Sequence, residues 1–144
     1  MKDNVNRYRL LLVDDNPDDI QLATLALQRV NRPLQMEVLT DGQAAVEAIL
    51  HQNPDLVIMD LNLPLLNGLE ILKKVRPMYP PGTLPMIVLT TSNAEKDLLR
   101  AQALGCDEFH VKPLSFHEFV RLLEGILDRW LVRKTTPENV CKNP

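Results

Sequence analysis

Acidic residues stand directly after two apolar runs of the chain, in a pattern that could hold a cation and a phosphoryl group. Asp14 and Asp15 follow the run at 10–13, and Asp60 follows the run at 56–59. Carboxylates brought together repel one another unless one takes a proton or a cation lies among them. An all-oxygen set with space for water suits Mg²⁺ better than zinc, and a carboxylate such as Asp60 can act as a nucleophile that forms an acyl phosphate. Taken alone, Asp14 and Asp15 could equally be the acidic residues that favour the start of a helix.

A hydroxyl and an amine follow two further apolar runs. Thr90 follows the run at 86–89, and Lys112 follows the run at 109–111. The amine would neutralise charge on a transferring phosphoryl group, and the hydroxyl of Thr90 could hydrogen-bond one of its oxygens. The alternatives are a β-branched residue that merely ends a strand and a solvated surface lysine, although Pro113 fixes the turn after Lys112. An X-Pro bond in a tight loop can be cis, which would help to aim the lysine inward.

The elements that position these residues form a repeated β-α pattern. Continuous apolar runs predict strands buried on both faces of a parallel sheet, and five β-α repeats predict a doubly wound α/β fold. Ligands of such sheets bind beyond the carboxyl ends of the strands, and the strand order 2-1-3-4-5 would make four of these ends neighbours. We expect strands near 10–13, 35–39 (an edge strand), 56–59, 86–89 and 109–111, and helices over 17–30, 42–50, 68–76, 94–104 and 115–132. Capping boxes that begin at Ser92 and Ser115 mark the starts of the last two helices.

Composition limits the class of protein. The 144 residues correspond to about one domain of ~100–200 residues, predicted at 8–131 and followed by a disordered tail at 132–144. The net charge of −3 argues against nucleic acid or an anionic membrane as the main partner, and no apolar stretch approaches the ~20 residues that span a bilayer. Cys106 and Cys141 form neither a disulfide framework nor a metal-ligand pattern, so we expect a protein of the reducing cytoplasm.

Taken in order, these motifs resemble a receiver domain of the bacterial two-component response regulators, with a flavodoxin-like (CheY-like) fold. The resemblance covers roughly residues 8–128 and is carried by Val13-Asp14-Asp15-Asn16, Met59-Asp60-Leu61-Asn62-Leu63-Pro64, Asn67-Gly68, Leu89-Thr90 and Lys112-Pro113. It implies a stand-alone phosphoacceptor switch that catalyses only its own phosphorylation and dephosphorylation. A histidine kinase would be its partner, and the fourth helix, fifth strand and fifth helix would form its signalling surface.

The resemblance also implies a role for each acidic residue. Asp60 would accept the phosphoryl group in a Mg²⁺-dependent reaction. Asp14 and Asp15 would form the acidic pair, with Asp15 as the direct Mg²⁺ ligand. Asn62 would offer the cation its backbone carbonyl, so that the implied ligand set is Asp14, Asp15, Asp60 and Asn62.

The resemblance assigns the switch residues in the same way. Thr90 would be the switch hydroxyl, Lys112 the phosphoryl-binding amine, and Phe109 would hold the place of the switch aromatic, unless it is simply a core-facing strand residue. Two positions depart from the common pattern. Thr91 is larger than the usual small residue, which would restrict access to the acyl phosphate, and Phe109 lacks the hydroxyl of the frequent tyrosine.

The last predicted helix suggests an interface. Residues 115–132 would span ~27 Å, and Trp130 and Leu131 continue its apolar stripe past the expected end of the core. An exposed apolar strip marks an interface, here a homodimer formed with Phe109 nearby; the alternative is that Trp130 folds back over the core edge. The stretch 126–131, together with Asp14-Asp15-Asn16-Pro17 and Leu89-Thr90-Thr91-Ser92, also resembles the small regulators that partner cyanobacterial phytochrome kinases. This resemblance implies a phytochrome-type photoreceptor kinase as partner.

Two other functions share part of this pattern. An Asp nucleophile with Mg²⁺ on an α/β sheet also describes phosphohydrolases of the haloacid-dehalogenase type. Those usually carry an aspartate two residues after the nucleophile, where this chain has Asn62, and no cap domain is predicted. A receiver fold could also bind a partner without being phosphorylated, but the intact set of Asp60, Thr90 and Lys112 argues against that.

Overall fold

Five strands alternate with five helices over residues 7–131, the part of the chain that the computed structural model describes. The elements are β1 (Tyr8–Val13), α1 (Pro17–Val30), β2 (Leu34–Leu39), α2 (Gly42–Gln52), β3 (Leu56–Met59), α3 (Gly68–Val75), β4 (Met86–Thr90), α4 (Glu95–Ala103), β5 (Glu108–Val111) and α5 (Phe116–Trp130). The predicted tail at 132–144 lies outside the described residues. Among the described helices, none has the length and apolar character needed to cross a membrane.

The strands form one parallel sheet in the order β2-β1-β3-β4-β5, which confirms the predicted topology and the edge position of β2. The register brings the strand ends to the same level, because Val13 pairs with Met59 and Met59 with Val88. Asp14 and Asp60, the residues that follow Val13 and Met59, therefore leave the sheet side by side at its carboxyl rim.

The sheet separates two apolar layers, because successive residues of each strand point to opposite faces. In β1, Leu11 and Val13 face the layer formed with α2, α3 and α4, whereas Leu10 and Leu12 face the layer formed with α1 and α5. Every residue of β3 and β4 is buried, which explains why those runs are continuous. Burial of one large aliphatic side chain contributes roughly 1.5–3 kcal/mol, so the two layers hold the rim in place.

A serine caps the start of α5, as predicted at Ser115, but no serine caps the start of α4, where Ser92 was predicted to do so. The side chain of Ser115 accepts a hydrogen bond from the backbone N–H of Glu118, as an N-cap residue does. The N-cap of α4 is Ala94, which has no capping side chain, so the predicted cap at Ser92 is wrong. Ser92 lies too early in the loop and instead donates its hydroxyl to the Asp97 carboxylate at 2.6 Å.

The end of α5 folds back onto the domain. Leu131 is 2% exposed and packs in the layer shared by α1 and α5, so the prediction that it forms an exposed interface is wrong. Trp130 packs against the same layer, and its indole Nε1 donates to Glu108 on β5. The alternative, in which Trp130 covers the core edge, is confirmed, because the helix ends at Trp130 and brings the last two apolar residues over β5 and α1.

Candidate functional site

Backbone hydrogen bonds continue past the ends of β1 and β3 and fix the two buried aspartates of the rim. The N–H of Asp14 donates to the carbonyl of Leu39 at 3.0 Å, and the N–H of Asp60 donates to that of Val13 at 2.9 Å. Both residues are buried, although both are acidic. Buried carboxylates need partners, so these two positions are where the chemistry of the rim concentrates.

The loop after Asp60 is held close to the backbone of Asp60 by the Asn67-Gly68 motif. The N–H of Gly68 donates to the carbonyl of Leu61 at 2.8 Å, and a Cβ at Gly68 would lie 2.7 Å from the carbonyl oxygen of Asp60. Asn67 and Glu70 form a reciprocal capping box that starts α3 at this point. Only glycine allows this close approach, so the motif fixes the loop that presents Asp60.

Each buried aspartate has one oxygen tied to its own loop. Oδ1 of Asp14 accepts from the N–H of Asn16 at 3.0 Å, and Oδ1 of Asp60 accepts from the N–H of Asn62 at 3.3 Å. These local turns orient the carboxylates. The second oxygen, Oδ2, of each aspartate therefore points into the space between β1, β3 and β5.

Lys112 fills that space with its ammonium group. Its Nζ lies 2.8 Å from Oδ2 of Asp14, 2.8 Å from Oδ2 of Asp19 and 3.0 Å from Oδ2 of Asp60. The backbone N–H of Lys112 donates to the carbonyl of Thr90 at 2.8 Å, which fixes the end of β5. The alternative of a solvated surface lysine is wrong, since only 10% of the Lys112 side chain is exposed. The described residues contain no cis peptide bond, so the Lys112–Pro113 bond is trans and the lysine reaches the site without the cis form that such a loop can adopt.

The cluster carries an excess of negative charge. Three carboxylates, those of Asp14, Asp19 and Asp60, surround one ammonium, so two negative charges remain uncompensated if all three ionise. Burial raises the pKa of Asp14 above its ordinary value, although the hydrogen bond from Lys112 opposes this effect. Burial works against the charged form of Lys112, but its bonds to Asp14 and Asp19 and the charge of Asp60 outweigh burial and raise its pKa.

The donor set fits a hard divalent cation. One oxygen from each of the three carboxylates lies within 4.8 Å of the others, and oxygen-only sets with uncompensated negative charge are those that Mg²⁺ and Mn²⁺ use. The structure thus brings together Asp14 and Asp60 of the predicted ligand set. Asp15 and Asn62 are exposed, and the Asp15 carboxylate is outside the cluster, so their roles as ligands stay predictions.

Asp19 is the residue that the sequence interpretation missed. It lies in the first turn of α1, where Asn16 caps the helix by accepting from the N–H groups of Asp18 and Asp19. This turn faces the end of β1. Asp19, five residues after Asp14 in the sequence, therefore lies beside Asp14 at the site. The signal in the sequence was Asn16-Pro17, which marks the helix start and places both following acids in the first turn.

The predicted switch residues occupy different environments. Thr90 is fully buried, and its Oγ1 accepts from the N–H of Ser92 at 3.3 Å, so it lies in the loop that leads into α4. Phe109 is half-buried and packs against the layer of α2, α3 and α4, as the core-facing alternative predicted. Thr91 is exposed beside Thr90, which leaves its effect on access as a prediction.

The sheet order, the helix layers and the acidic rim with its lysine together define a receiver domain. The chain matches the family model of the response regulator receiver domain over residues 10–124 and belongs to that family. This confirms the family predicted from the motifs at Asp14-Asp15, Asp60, Thr90 and Lys112.

Similar proteins cover nearly the whole chain. The probable methanogenesis regulatory protein FilR2 of Methanothrix harundinacea is 34% identical over 90% of this chain and 88% of its own length. The response regulator Rcp1 of Synechocystis is 29% identical over 89% of this chain and 92% of its own length. Other relatives are longer: the chain spans 50% of the probable transcriptional regulatory protein TcrX of Mycobacterium tuberculosis.

Two solved structures show the same architecture. The phosphorylated cyanobacterial phytochrome response regulator RcpA superposes with a TM-score of 0.76 at 29% identity, covering 88% of this chain and 95% of that one. The Mn²⁺-bound form of Rcp1 gives a TM-score of 0.74 at 29% identity, covering 87% of this chain and 95% of that one. The predicted flavodoxin-like receiver fold is therefore confirmed.

Proposed function

We propose that this chain is a phosphoacceptor switch in which Asp60 takes a phosphoryl group from a phosphohistidine of a histidine kinase. The observation that carries the proposal is the 3.0 Å contact between Nζ of Lys112 and Oδ2 of Asp60, inside a cluster that retains negative charge. It supports a site where a nucleophilic carboxylate and a charge-neutralising amine already lie in contact.

The chemistry assigned to Asp60 is nucleophilic displacement at phosphorus. A carboxylate oxygen of Asp60 attacks the phosphorus atom, the bond from phosphorus to the imidazole nitrogen breaks, and that nitrogen keeps the electron pair. Lys112 then pairs with the phosphoryl oxygens instead of with carboxylates alone. Asp14 and Asp60, joined by Asp15 and the Asn62 carbonyl as the family resemblance implies, would hold the Mg²⁺ that supplies further positive charge to these oxygens.

Signalling follows from the charge that phosphorylation adds. The Thr90 hydroxyl would turn toward a phosphoryl oxygen, and the loop after it moves with α4, since Ser92 contacts both Thr90 and Asp97. We assign the output to the surface formed by α4, β5 and α5. Couplings in such switches are typically ~1–3 kcal/mol, and the chain would catalyse only its own phosphorylation and dephosphorylation.

The kinase we propose is of the phytochrome type. The similarity to Rcp1 and to the phytochrome response regulator RcpA extends over nearly the whole chain and supports this choice. The net charge of −3 favours a protein partner over nucleic acid. The burial of Leu131 and the pairing of Trp130 with Glu108 give no support to a homodimer built on the end of α5.

The test is phosphorylation followed by intact-mass measurement. With Mg²⁺ and acetyl phosphate, the wild-type chain should gain one phosphoryl group, Asp60→Asn should gain none, and the matched control Asp18→Asn should behave as wild type. Uptake by Asp60→Asn, or none by wild type, would refute the proposal. Steady turnover of a phosphomonoester would favour a phosphohydrolase, and a partner complex insensitive to phosphorylation would favour a binding module. Transfer from a phytochrome-type kinase, compared with an unrelated histidine kinase, tests the choice of partner.

A further inference from the structure

We infer that Asp19 is a positioning residue for Lys112 and competes with the incoming phosphoryl group for its ammonium. The inference rests on the proposed function of Asp60. The Asp19 carboxylate lies 2.8 Å from Nζ of Lys112, as close as that of Asp14 and closer than the 3.0 Å of Asp60. The ammonium is therefore in hydrogen-bond contact with Asp19 as well as with the proposed phosphoacceptor.

Asp19 reaches the ammonium from the solvent side of the cluster. Its side chain is 29% exposed, whereas those of Asp14 and Asp60 are 6% and 8% exposed. It is fixed there because Asn16 caps the first turn of α1 and accepts from the N–H of Asp19 at 3.1 Å. The Asp19 carboxylate thus contacts Lys112 on the side that the two buried aspartates leave open.

The neighbouring Asp18 provides a built-in comparison. It carries the same charge in the same helical turn, is exposed, and its side chain makes no hydrogen bond or ion pair with other described residues. An effect of charge near the site in general would be shared by Asp18 and Asp19. An effect of contact with Lys112 belongs to Asp19 alone.

Asp19 should act in opposite directions on a cation and on a phosphoryl group. Its negative charge adds to the two carboxylates that face a divalent cation, so it strengthens cation binding. A phosphoryl group is an anion, so the same charge repels it, and the ammonium must leave Asp19 to pair with it. Asp19 therefore holds Lys112 in the unphosphorylated arrangement and makes its release part of phosphoryl capture.

The experiment measures both ligands on the full chain. Mn²⁺ affinity is measured by the electron paramagnetic resonance signal of the free ion, and beryllofluoride affinity is measured at Mg²⁺ concentrations that saturate each variant. For Asp19→Asn we expect the Mn²⁺ Kd to rise by roughly 3- to 10-fold and the beryllofluoride Kd to fall by a similar factor. Asp18→Asn should change neither by more than about twofold, and Asp19→Glu should restore Mn²⁺ affinity.

Other outcomes separate this inference from the proposed function. If wild type binds both ligands and Asp19→Asn leaves both constants unchanged, or weakens both, Asp19 does not position Lys112. Equal shifts in Asp18→Asn would attribute the effect to general charge and would also overturn the inference. If wild type binds neither Mn²⁺ nor beryllofluoride, the proposed function fails and the role of Asp19 fails with it. Circular dichroism confirms that each variant is folded.

Discussion

The indole Nε1 of Trp130 donates a 2.7 Å hydrogen bond to Oε2 of Glu108 and so ties the end of α5 to the start of β5. The Glu108 carboxylate also accepts hydrogen bonds from Nε of Arg129 at 2.6 Å and from Nη2 of Arg129 at 2.7 Å. Oε1 of Glu108 lies 2.7 Å from Nε2 of His110. Gly125 leaves room for this arrangement, since a Cβ there would lie 3.1 Å from the Arg129 guanidinium. The last turn of α5 is therefore anchored one residue from Phe109, on the surface to which we assign the output.

Replacing Glu108 should lower the free energy of unfolding at neutral pH but not near pH 2. Burial alone would raise the pKa of Glu108, but hydrogen bonds from Arg129, His110 and Trp130 lower it from 4.5 to about 2. Because the pKa is lowered on folding, the ionised group stabilises the protein fully above about pH 4.5 and loses this effect as the pH falls toward 2. Glu108→Gln should therefore be less stable at pH 7, by about 1 kcal/mol, and nearly equal to wild type near pH 2.

Urea unfolding at pH 7, 5 and 3 measures this difference. Glu124→Gln is the matched control, because Glu124 is an exposed carboxylate of α5 whose side chain makes no hydrogen bond or ion pair with other described residues. If wild type and Glu108→Gln lose the same amount of stability between pH 5 and 3, the ionised Glu108 carboxylate does not stabilise the domain.

The sheet and the main site residues could be predicted because short apolar runs mark buried strands regardless of tertiary detail. Parallel strands end at one rim, so the residues that follow them, Asp14, Asp60 and Lys112, had to converge once the strand order was right. The order itself, with β1 between β2 and β3, followed from the alternation of elements together with the family resemblance. These features depend on periodicity and order, which a single sequence carries.

The parts that could not be predicted depend on side-chain geometry. The contact of Asp19 with Lys112 requires the exact rotation of α1, which the periodicity of its apolar residues leaves open by about a residue. The burial of Leu131 depends on where α5 ends relative to α1. Ser92 and Glu95 have the spacing of a capping box, but the helix starts later, after Ala94, and the Ser92 hydroxyl donates to Asp97, five residues on, instead.

The pair formed by Arg76 and Asp107 should be a large source of stability away from the site. Arg76, 8% exposed, donates to the carbonyls of Gly105, Tyr79 and Leu84, and its Nη2 lies 2.7 Å from Oδ2 of Asp107. A lysine cannot reproduce this planar set of bonds. We expect Arg76→Lys to lower the free energy of unfolding by about 2 kcal/mol, because the ammonium keeps the charge but leaves buried carbonyls without a donor. Urea denaturation measures this loss, and the exposed Arg121→Lys should be unchanged. A loss below 1 kcal/mol would contradict this assignment.

Removing the ammonium of Lys112 should destabilise the domain in a cation-dependent way. Lys112→Met leaves the buried carboxylates of Asp14 and Asp60 without their shared counter-charge, so the free energy of unfolding at pH 7 should fall by about 3 kcal/mol in chelator. Mg²⁺ should restore more stability to the variant than it adds to wild type. Thermal unfolding with and without Mg²⁺ measures both effects, and Lys96→Met, which removes an exposed lysine of α4, is the control. Equal stability of Lys112→Met and wild type in chelator would rule out this balance of charges.

Loss of the hydrogen bond between the side chains of Ser92 and Asp97 should free the first turn of α4 from the loop that follows Thr90. The Ser92 hydroxyl donates to Asp97 at 2.6 Å, and its N–H donates to Thr90 at 3.3 Å, while Ala94 provides no cap of its own. Ser92→Ala and Asp97→Asn should each destabilise the domain, and the double variant should show a coupling energy of about 1 kcal/mol. Hydrogen exchange should be several-fold faster at residues 95–98 in Ser92→Ala. Glu95→Gln, an acid of the same turn, controls for the helix dipole. Strictly additive effects in the double variant would mean that Ser92 and Asp97 act separately and that their hydrogen bond does not link Thr90 to α4.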